Sequence, residues 1–332
     1  MVYGTQLIDT FGRVHSKLRI SVTDRCNIRC YYCMPETGTI FAPRAGLLSV
    51  DEIERIVRVA VRLGLRKFRL TGGEPLVWKD LGVLIRRLVG ISGVESLGLT
   101  TNGVLLADRA QELYDAGLRR INVHLDTMDR DAYRRITRRD AFETVMRGLQ
   151  TARELGYGSI KINAVAVKGQ SEDDIVALAR FGRQSGIQVR FIEFMPLDAQ
   201  GLWNSDKVLS ADEMVAILER RIGPLVPVSA ADERAPAAEF RFADGTGTVG
   251  FISSVTKPFC GSCNRLRLTS DGKLRYCLFA VEETDLRPLL RSPDDDAIAE
   301  AIFGCVRAKW RGHSINSTQF VAPPRPMSAI GG

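Results

Sequence analysis

Cys26-Asn27-Ile28-Arg29-Cys30-Tyr31-Tyr32-Cys33 places three thiols in eight residues, spaced C-x3-C-x2-C, directly after the apolar run Leu18 to Val22. Three thiolates are one too few for a closed tetrahedral metal site. They are also one too few for an iron–sulfur cluster held in the usual way by four cysteines. A cubane gripped by three leaves one iron with an open position, and an open position marks a reactive metal rather than a structural one. The preceding run reads as a β-strand, so the thiols follow a strand end. The competing reading is a structural zinc or a surface group of thiols.

Outward from this loop, a strand-then-helix unit repeats about six times. Strands are expected at 18–24, 66–71, 96–101, 120–126, 159–167 and 187–194, rich in Ile, Val, Leu and Phe as parallel strands buried on both faces are. Ile53, Ile56, Val57, Ala60 and Val61 form one helical stripe, with Ser49 as its N-cap. Leu81, Leu84, Ile85 and Leu88 repeat the pattern, as do Ile175, Leu178 and Ala179. Alternating units predict an α/β fold with a parallel sheet and right-handed crossovers. Six units fall short of the eight that close a barrel. An incomplete (β/α)6 TIM-type barrel, open on one side, is therefore expected, with a doubly wound open sheet as the alternative. The pattern stops near residue 222. Pro224, Pro227 and residues 229–238 read as a linker, followed by short strands at 239–243, 247–253 and 265–275 and helices near 282–291 and 295–306. The expected division is 1–225 and 226–332, the second part being a smaller α+β module over the barrel's open side.

Composition bounds the function. A 332-residue chain with 45% hydrophobic and 26% charged residues is ordinary for a globular protein. No apolar stretch approaches the roughly 18 residues of a membrane span, and Met1 to Thr10 lacks the pattern of a secretory signal. Seven clustered cysteines argue for metal ligation in a reducing, cytoplasmic setting rather than a disulfide framework. A net charge of +7 suits nucleic acid or an anionic small molecule. The runs Arg134-Arg135 and Arg138-Arg139 read as solvated helix faces.

Several strand ends carry reactive or binding types. Thr71-Gly72-Gly73-Glu74-Pro75 closes the second strand, and paired glycines allow close backbone approach. Thr100-Thr101-Asn102-Gly103 and His124-Leu125-Asp126 close the third and fourth; Lys161 lies in the fifth; Arg190, Glu193 and Met195 lie on or just after the sixth. A second trio, Cys260-x2-Cys263-x13-Cys277, again leaves one metal position open, unless His313 or Cys305 completes a zinc site. Beside it, Arg265 and Arg267 are two apart in an extended segment and share a face, where two forked donors suit a phosphate or a purine edge. The chain ends Ile330-Gly331-Gly332.

The triplet with Tyr32 before its last cysteine resembles the radical S-adenosylmethionine enzymes. The second trio, Arg265-x-Arg267 and the Gly-Gly end resemble the branch that cyclises GTP on the way to molybdopterin, over nearly the whole chain from about residue 12. The resemblance implies the incomplete barrel and two 4Fe-4S clusters, on Cys26, Cys30 and Cys33 and on Cys260, Cys263 and Cys277. It implies that Tyr32, Gly73, His124 and Met195 contact S-adenosylmethionine. It further implies that Arg19, Arg69, Thr100, Lys161 and Arg190 bind GTP, with Arg265, Arg267, Gly331 and Gly332 acting at the substrate. The implied reaction uses a 5′-deoxyadenosyl radical to convert GTP to 3′,8-cyclo-7,8-dihydro-GTP, with a reductase or other electron donor and a downstream enzyme as partners. A homodimer is compatible with it; a membrane or a stable nucleic-acid partner is not expected. Three features depart from the branch pattern: His124 stands where a small hydroxyl residue is usual, Lys309 to His313 follows the late motif only in part, and Cys305 reads as a buried helix thiol. Rival readings are a related radical enzyme acting on a peptide or an RNA base, and a non-enzymatic electron carrier or zinc-ribbon module.

Overall fold

The structure is a computed structural model and describes residues 6–198, 201–229, 234–318 and 320–331. A small hairpin, β1 (Leu7–Ile8) and β2 (Val14–His15), precedes the alternating units. These run β3 (Lys17–Ser21), α1 (Val50–Arg62), β4 (Lys67–Thr71), α2 (Leu81–Val89), β5 (Ser96–Thr101), α3 (Leu106–Asp115) and β6 (Arg120–His124). They continue with α4 (Arg130–Thr137), α5 (Phe142–Glu154), β7 (Ser159–Ala166), α6 (Glu172–Ser185), β8 (Gln188–Glu193) and α7 (Ala211–Arg221). The helical stripes pack as their spacing requires: Ile53, Ile56, Val57 and Ala60 are buried, and Ser49 forms a full capping box with Glu52.

The later residues add β9 (Leu225–Val228), β10 (Ala238–Phe242), β11 (Thr248–Ile252), β12 (Arg265–Leu268), β13 (Lys273–Arg275), β14 (Thr284–Asp285), α8 (Arg287–Leu290), α9 (Asp295–Arg307) and α10 (Met327–Ile330). One sheet takes in twelve strands, in the order β14-β13-β12-β3-β4-β5-β6-β7-β8-β11-β10-β9. Its centre, β3 to β8, is parallel in sequence order, as right-handed crossovers give. The later strands extend both edges: β12 pairs parallel with β3, and β11 parallel with β8.

Three local expectations change. Residues 265–275 form a hairpin, not one strand, because Ser270-Asp271-Gly272 turns the chain, with Gly272 at φ 85°. Within 282–291 the helix shrinks to α8, because Thr284 and Asp285 pair with Leu274 and Lys273. The expected linker begins as a strand: Pro227 sits in β9, the outermost strand, where a missing N–H is tolerated.

Register places charge in rows. Arg267 of β12, Arg19 of β3 and Arg69 of β4 are successive partners, followed by Gly98 of β5. A Cβ on Gly98 would stand 3.0 Å from the Arg69 guanidinium, so the glycine leaves room for that side chain.

Candidate active site

The end of β4 holds the thiol loop in place. Gly73 N–H donates to the Thr23 carbonyl at 2.7 Å, and Glu74 N–H to that of Arg25 at 2.7 Å. Cβ atoms on Gly72 and Gly73 would lie 2.4 Å from the Thr23 and Arg25 oxygens, respectively. The close approach that these glycines permit is thus to the chain's own backbone, while both also line the central cavity. Glu74 is fully buried and accepts from Leu76 N (2.9 Å), Thr101 Oγ1 (2.7 Å) and Asn102 N (2.6 Å). Burial still pushes its carboxyl up to about 7. Asn102 passes the connection on, with Nδ2 2.8 Å from Asn27 Oδ1 and 3.7 Å from Cys26 Sγ.

Cys26, Cys30 and Cys33 are free thiols on the wall of that cavity. Burial pushes Cys26 up to about 11 and Cys33 up to about 12, and holds Cys30 well above the usual thiol range. Beside the trio, the Tyr32 hydroxyl donates to Asp126 and lies 2.6 Å from His124 Nε2, itself 3.0 Å from Asp126 Oδ2. Burial opposes a charge on His124, but Asp126 outweighs it and raises the imidazole pKa.

Cys260, Cys263 and Cys277 line the same cavity. Burial raises the Cys263 thiol, yet the charges of Arg265 and Lys309 pull it down to about 6. Lys309 is 5% exposed, so this cation is spent inside the protein. Arg13 braces the trio from outside: it donates to the carbonyls of Cys260 (2.8 Å), Arg311 (3.0 Å) and Trp310 (2.6 Å), while Asp9 holds its Nε at 2.5 Å. The two candidate fourth ligands differ: His313 lines the cavity, whereas Cys305 does not. Cys305 is buried in the apolar core on α9, and His313 Nε2 faces the Ser254 carbonyl at 3.0 Å.

Arg19, Thr100, Tyr32, Gly73, His124, Met195, Arg265 and Arg267 all line the cavity. Arg69, Lys161 and Arg190 do not. Arg69 Nη1 donates to the Leu99 carbonyl (3.0 Å), and Glu239 pairs with Arg190 (2.9 Å) and Lys161 (3.6 Å). Burial and the neighbouring cations weaken the basicity of these arginines. Burial, then Arg265, lowers Arg267 to about 10; burial, then Arg120 and Arg190, lowers Arg69 to about 10. Arg19 falls well below its usual range from burial and from Arg267, Arg265 and Arg69. Gly331 accepts a hydrogen bond from Arg267 Nη1; Gly332 lies outside the described residues. Lys309, Glu239 and the bracing role of Arg13 were not legible from sequence, because Lys309 and Glu239 meet their partners, and Arg13 meets Cys260, Trp310 and Arg311, only across long separations.

Among the described residues, no group of three or more His, Cys, Asp or Glu side chains is arranged to hold a single metal ion. A cubane takes each thiolate on a different iron. Three thiols facing one cavity, with the Asn102 amide 3.7 Å from Cys26 Sγ, fit such a group at the first trio. No helix among the described residues is long and apolar enough to cross a membrane.

The Radical SAM superfamily model matches residues 20–182, and the Molybdenum Cofactor Synthesis C model matches 187–315. GTP 3',8-cyclase of Rhodopirellula baltica is 50% identical over 98% of this chain and 92% of its own. That of Thermodesulfovibrio yellowstonii is 44% identical over 98% and 99%. Among solved structures, Streptococcus suis SuiB bound to S-adenosylmethionine superposes with a TM-score of 0.61, at 14% identity over 89% of this chain and 69% of that one. Native anSMEcpe with bound AdoMet gives 0.56, at 15% identity over 85% and 82%. These two likenesses carry the fold alone. The sequence relatives match end to end and both family models fall in order along one chain, which therefore belongs to the GTP 3',8-cyclase family of radical S-adenosylmethionine enzymes.

Proposed function

We propose that the protein converts GTP to 3′,8-cyclo-7,8-dihydro-GTP in a cytoplasmic step of molybdenum cofactor biosynthesis, using S-adenosylmethionine and two 4Fe-4S clusters. The observation that carries this reading is the row Arg267–Arg19–Arg69, three buried or half-buried guanidiniums in register with depressed pKa values. Like charges so packed call for an anion. Holding GTP at micromolar affinity takes about 8 kcal/mol, whereas one exposed ion pair supplies about 1 kcal/mol or less. Several converging cations in a shielded cavity are therefore needed.

In this reading Cys26, Cys30 and Cys33 hold the first cluster, and Tyr32, Gly73, His124 and Met195 seat S-adenosylmethionine against it. Bound there, the cluster supplies the electron that cleaves S-adenosylmethionine. Cys260, Cys263 and Cys277 hold the second cluster, a role supported by their shared cavity and by the cations beside Cys263. Arg19, Arg69, Thr100, Lys161 and Arg190 bind GTP. The three basic groups off the cavity wall (Arg69, Lys161 and Arg190) suit the phosphate end, with Glu239 holding two of them until substrate arrives. Arg265 and Arg267 orient the reacting part of the nucleotide, and Gly331 and Gly332 close over it. Residues 1–225 act as an incomplete (β/α)6 barrel, and 226–332 as the module that excludes water from it. An electron donor, a downstream enzyme that takes the product and a second copy of the chain are the proposed partners.

Anaerobic incubation with reductant, S-adenosylmethionine and GTP tests the reading. The expected result is GTP-dependent 5′-deoxyadenosine and the cyclised nucleotide, with roughly eight irons per chain. Zinc in place of iron, or S-adenosylmethionine cleavage indifferent to GTP with no cyclised product, would overturn it.

A further inference from the structure

The arginine runs near residue 135 change meaning once placed in the fold. Between residues 130 and 140 five arginines stand against two aspartates, and Arg134, Arg135 and Arg139 are exposed. This segment is the outer support of the first thiol trio. The end of α4 accepts from the thiol loop twice, Arg29 N to the Thr137 carbonyl (2.9 Å) and Tyr31 N to that of Ile136 (3.1 Å), so its backbone grips the residues on both sides of Cys30. Arg138 caps the helix at φ 56°, the one non-glycine residue at positive φ among those described. Glycine would hold this left-handed conformation without the steric cost that the arginine bears. The neighbouring loop adds an apolar tip: Ile40 is 96% exposed, and Phe41 lies against Arg25 (5.7 Å) and Arg29 (5.9 Å).

The inner side of the thiol loop faces the cavity, which the reactants fill during turnover. An electron bound for the first cluster therefore has its short route from the outer side, past this basic, partly apolar face. We propose that the face docks a small acidic one-electron carrier protein that reduces the first cluster. One electron leaves the reduced carrier, which is oxidised by one, and enters the cluster; no bond or proton moves. The inference rests on the reading that Cys26, Cys30 and Cys33 hold that cluster.

Stopped-flow bleaching of the reconstituted enzyme tests it, with photoreduced flavodoxin as the probe and dithionite as a small-molecule control. The variants are the triple Arg134→Glu, Arg135→Glu, Arg139→Glu and the milder triple to Gln. With flavodoxin, the Glu triple should slow reduction about tenfold or more, the Gln triple less, and the wild-type rate should fall with ionic strength. With dithionite, both triples should match wild type. Equal flavodoxin rates in all three proteins would overturn the proposal, as would parallel losses with both reductants in the Gln triple. An RNA oligonucleotide that binds this face without affecting flavodoxin-driven reduction would reassign the patch to nucleic acid. Absence of iron from the wild-type protein would instead remove the cluster reading beneath it.

Discussion

Lys309 Nζ lies 3.6 Å from Cys263 Sγ and gives its other two protons to the carbonyls of Arg265 (2.9 Å) and Tyr276 (2.8 Å). One buried cation thus ties the segments that carry Cys263 and Cys277, and places positive charge on a thiolate. Lys309→Met keeps the side-chain volume but leaves two buried carbonyls unpaired, at about 1–3 kcal/mol each. The variant should bind less iron at the second trio, and any cluster formed there should have a lower reduction potential, since hydrogen bonds to sulfur raise it. S-adenosylmethionine cleavage should persist. Iron analysis and an EPR-monitored redox titration decide the matter; wild-type iron content and an unchanged potential would sink it.

Arg267 and Gly331 bring the carboxyl-terminal segment to the arginine row. Gly331 sits at φ 83°, and a Cβ there would meet Ser21 Cβ at 3.0 Å and Thr71 Cγ2 at 3.2 Å. Gly331→Ala therefore combines backbone strain of about 1–2 kcal/mol with a clash at the end of β4. We expect the tail to be displaced, with cyclised product largely lost and 5′-deoxyadenosine still formed. Equal loss of both products would show that the tail serves the fold, not the substrate.

Much of this was readable from sequence, for identifiable reasons. The thiol triplet, the Gly-Gly-Glu-Pro element and the helical stripes are local patterns, and local patterns survive folding. The Arg267–Arg19–Arg69 row was not readable, because it depends on β12 pairing with β3 across some 250 residues. Asp126 was visible at a strand end, but its link to Tyr32 needs two loops placed together. Residues 265–275 misled because alternating Arg and Leu masked the turn at Asp271-Gly272.

Tyr32→Phe removes the hydroxyl that Asp126 and His124 share. The two then face each other alone at 3.0 Å. Because Asp126 also accepts from Val165 N at 2.8 Å, its carboxylate stays in place, and the fold should be barely affected. The change should appear as a several-fold rise in KM for S-adenosylmethionine, about 1 kcal/mol for one lost hydrogen bond, with iron content unchanged. Loss of iron in this variant would move Tyr32 from the cofactor's seat to the loop's support.

His15 gives the fold a pH dependence with a definite sign. It is fully buried, its Nε2 lies 3.1 Å from Asp9 Oδ2, and its Nδ1 has no hydrogen-bond partner among the described residues. The charged groups acting on it are Asp9, Arg13 and Lys309. A histidine beside a carboxylate usually gains basicity, but here burial first, and then the Lys309 charge, lower it to about 4. Since the folded pKa lies below the unfolded one, the unfolded chain binds the extra proton. Stability is then complete above about pH 6.5 and falls as the pH drops toward 4. Between pH 7 and pH 5 this single group should cost roughly 2 kcal/mol. Thermal melting at the two pH values, in wild type and in His15→Gln, isolates the effect. The wild-type midpoint should fall several degrees further than the variant's, since the amide does not titrate. Equal falls in the two proteins would mean that His15 is already protonated in the native state, held by Asp9.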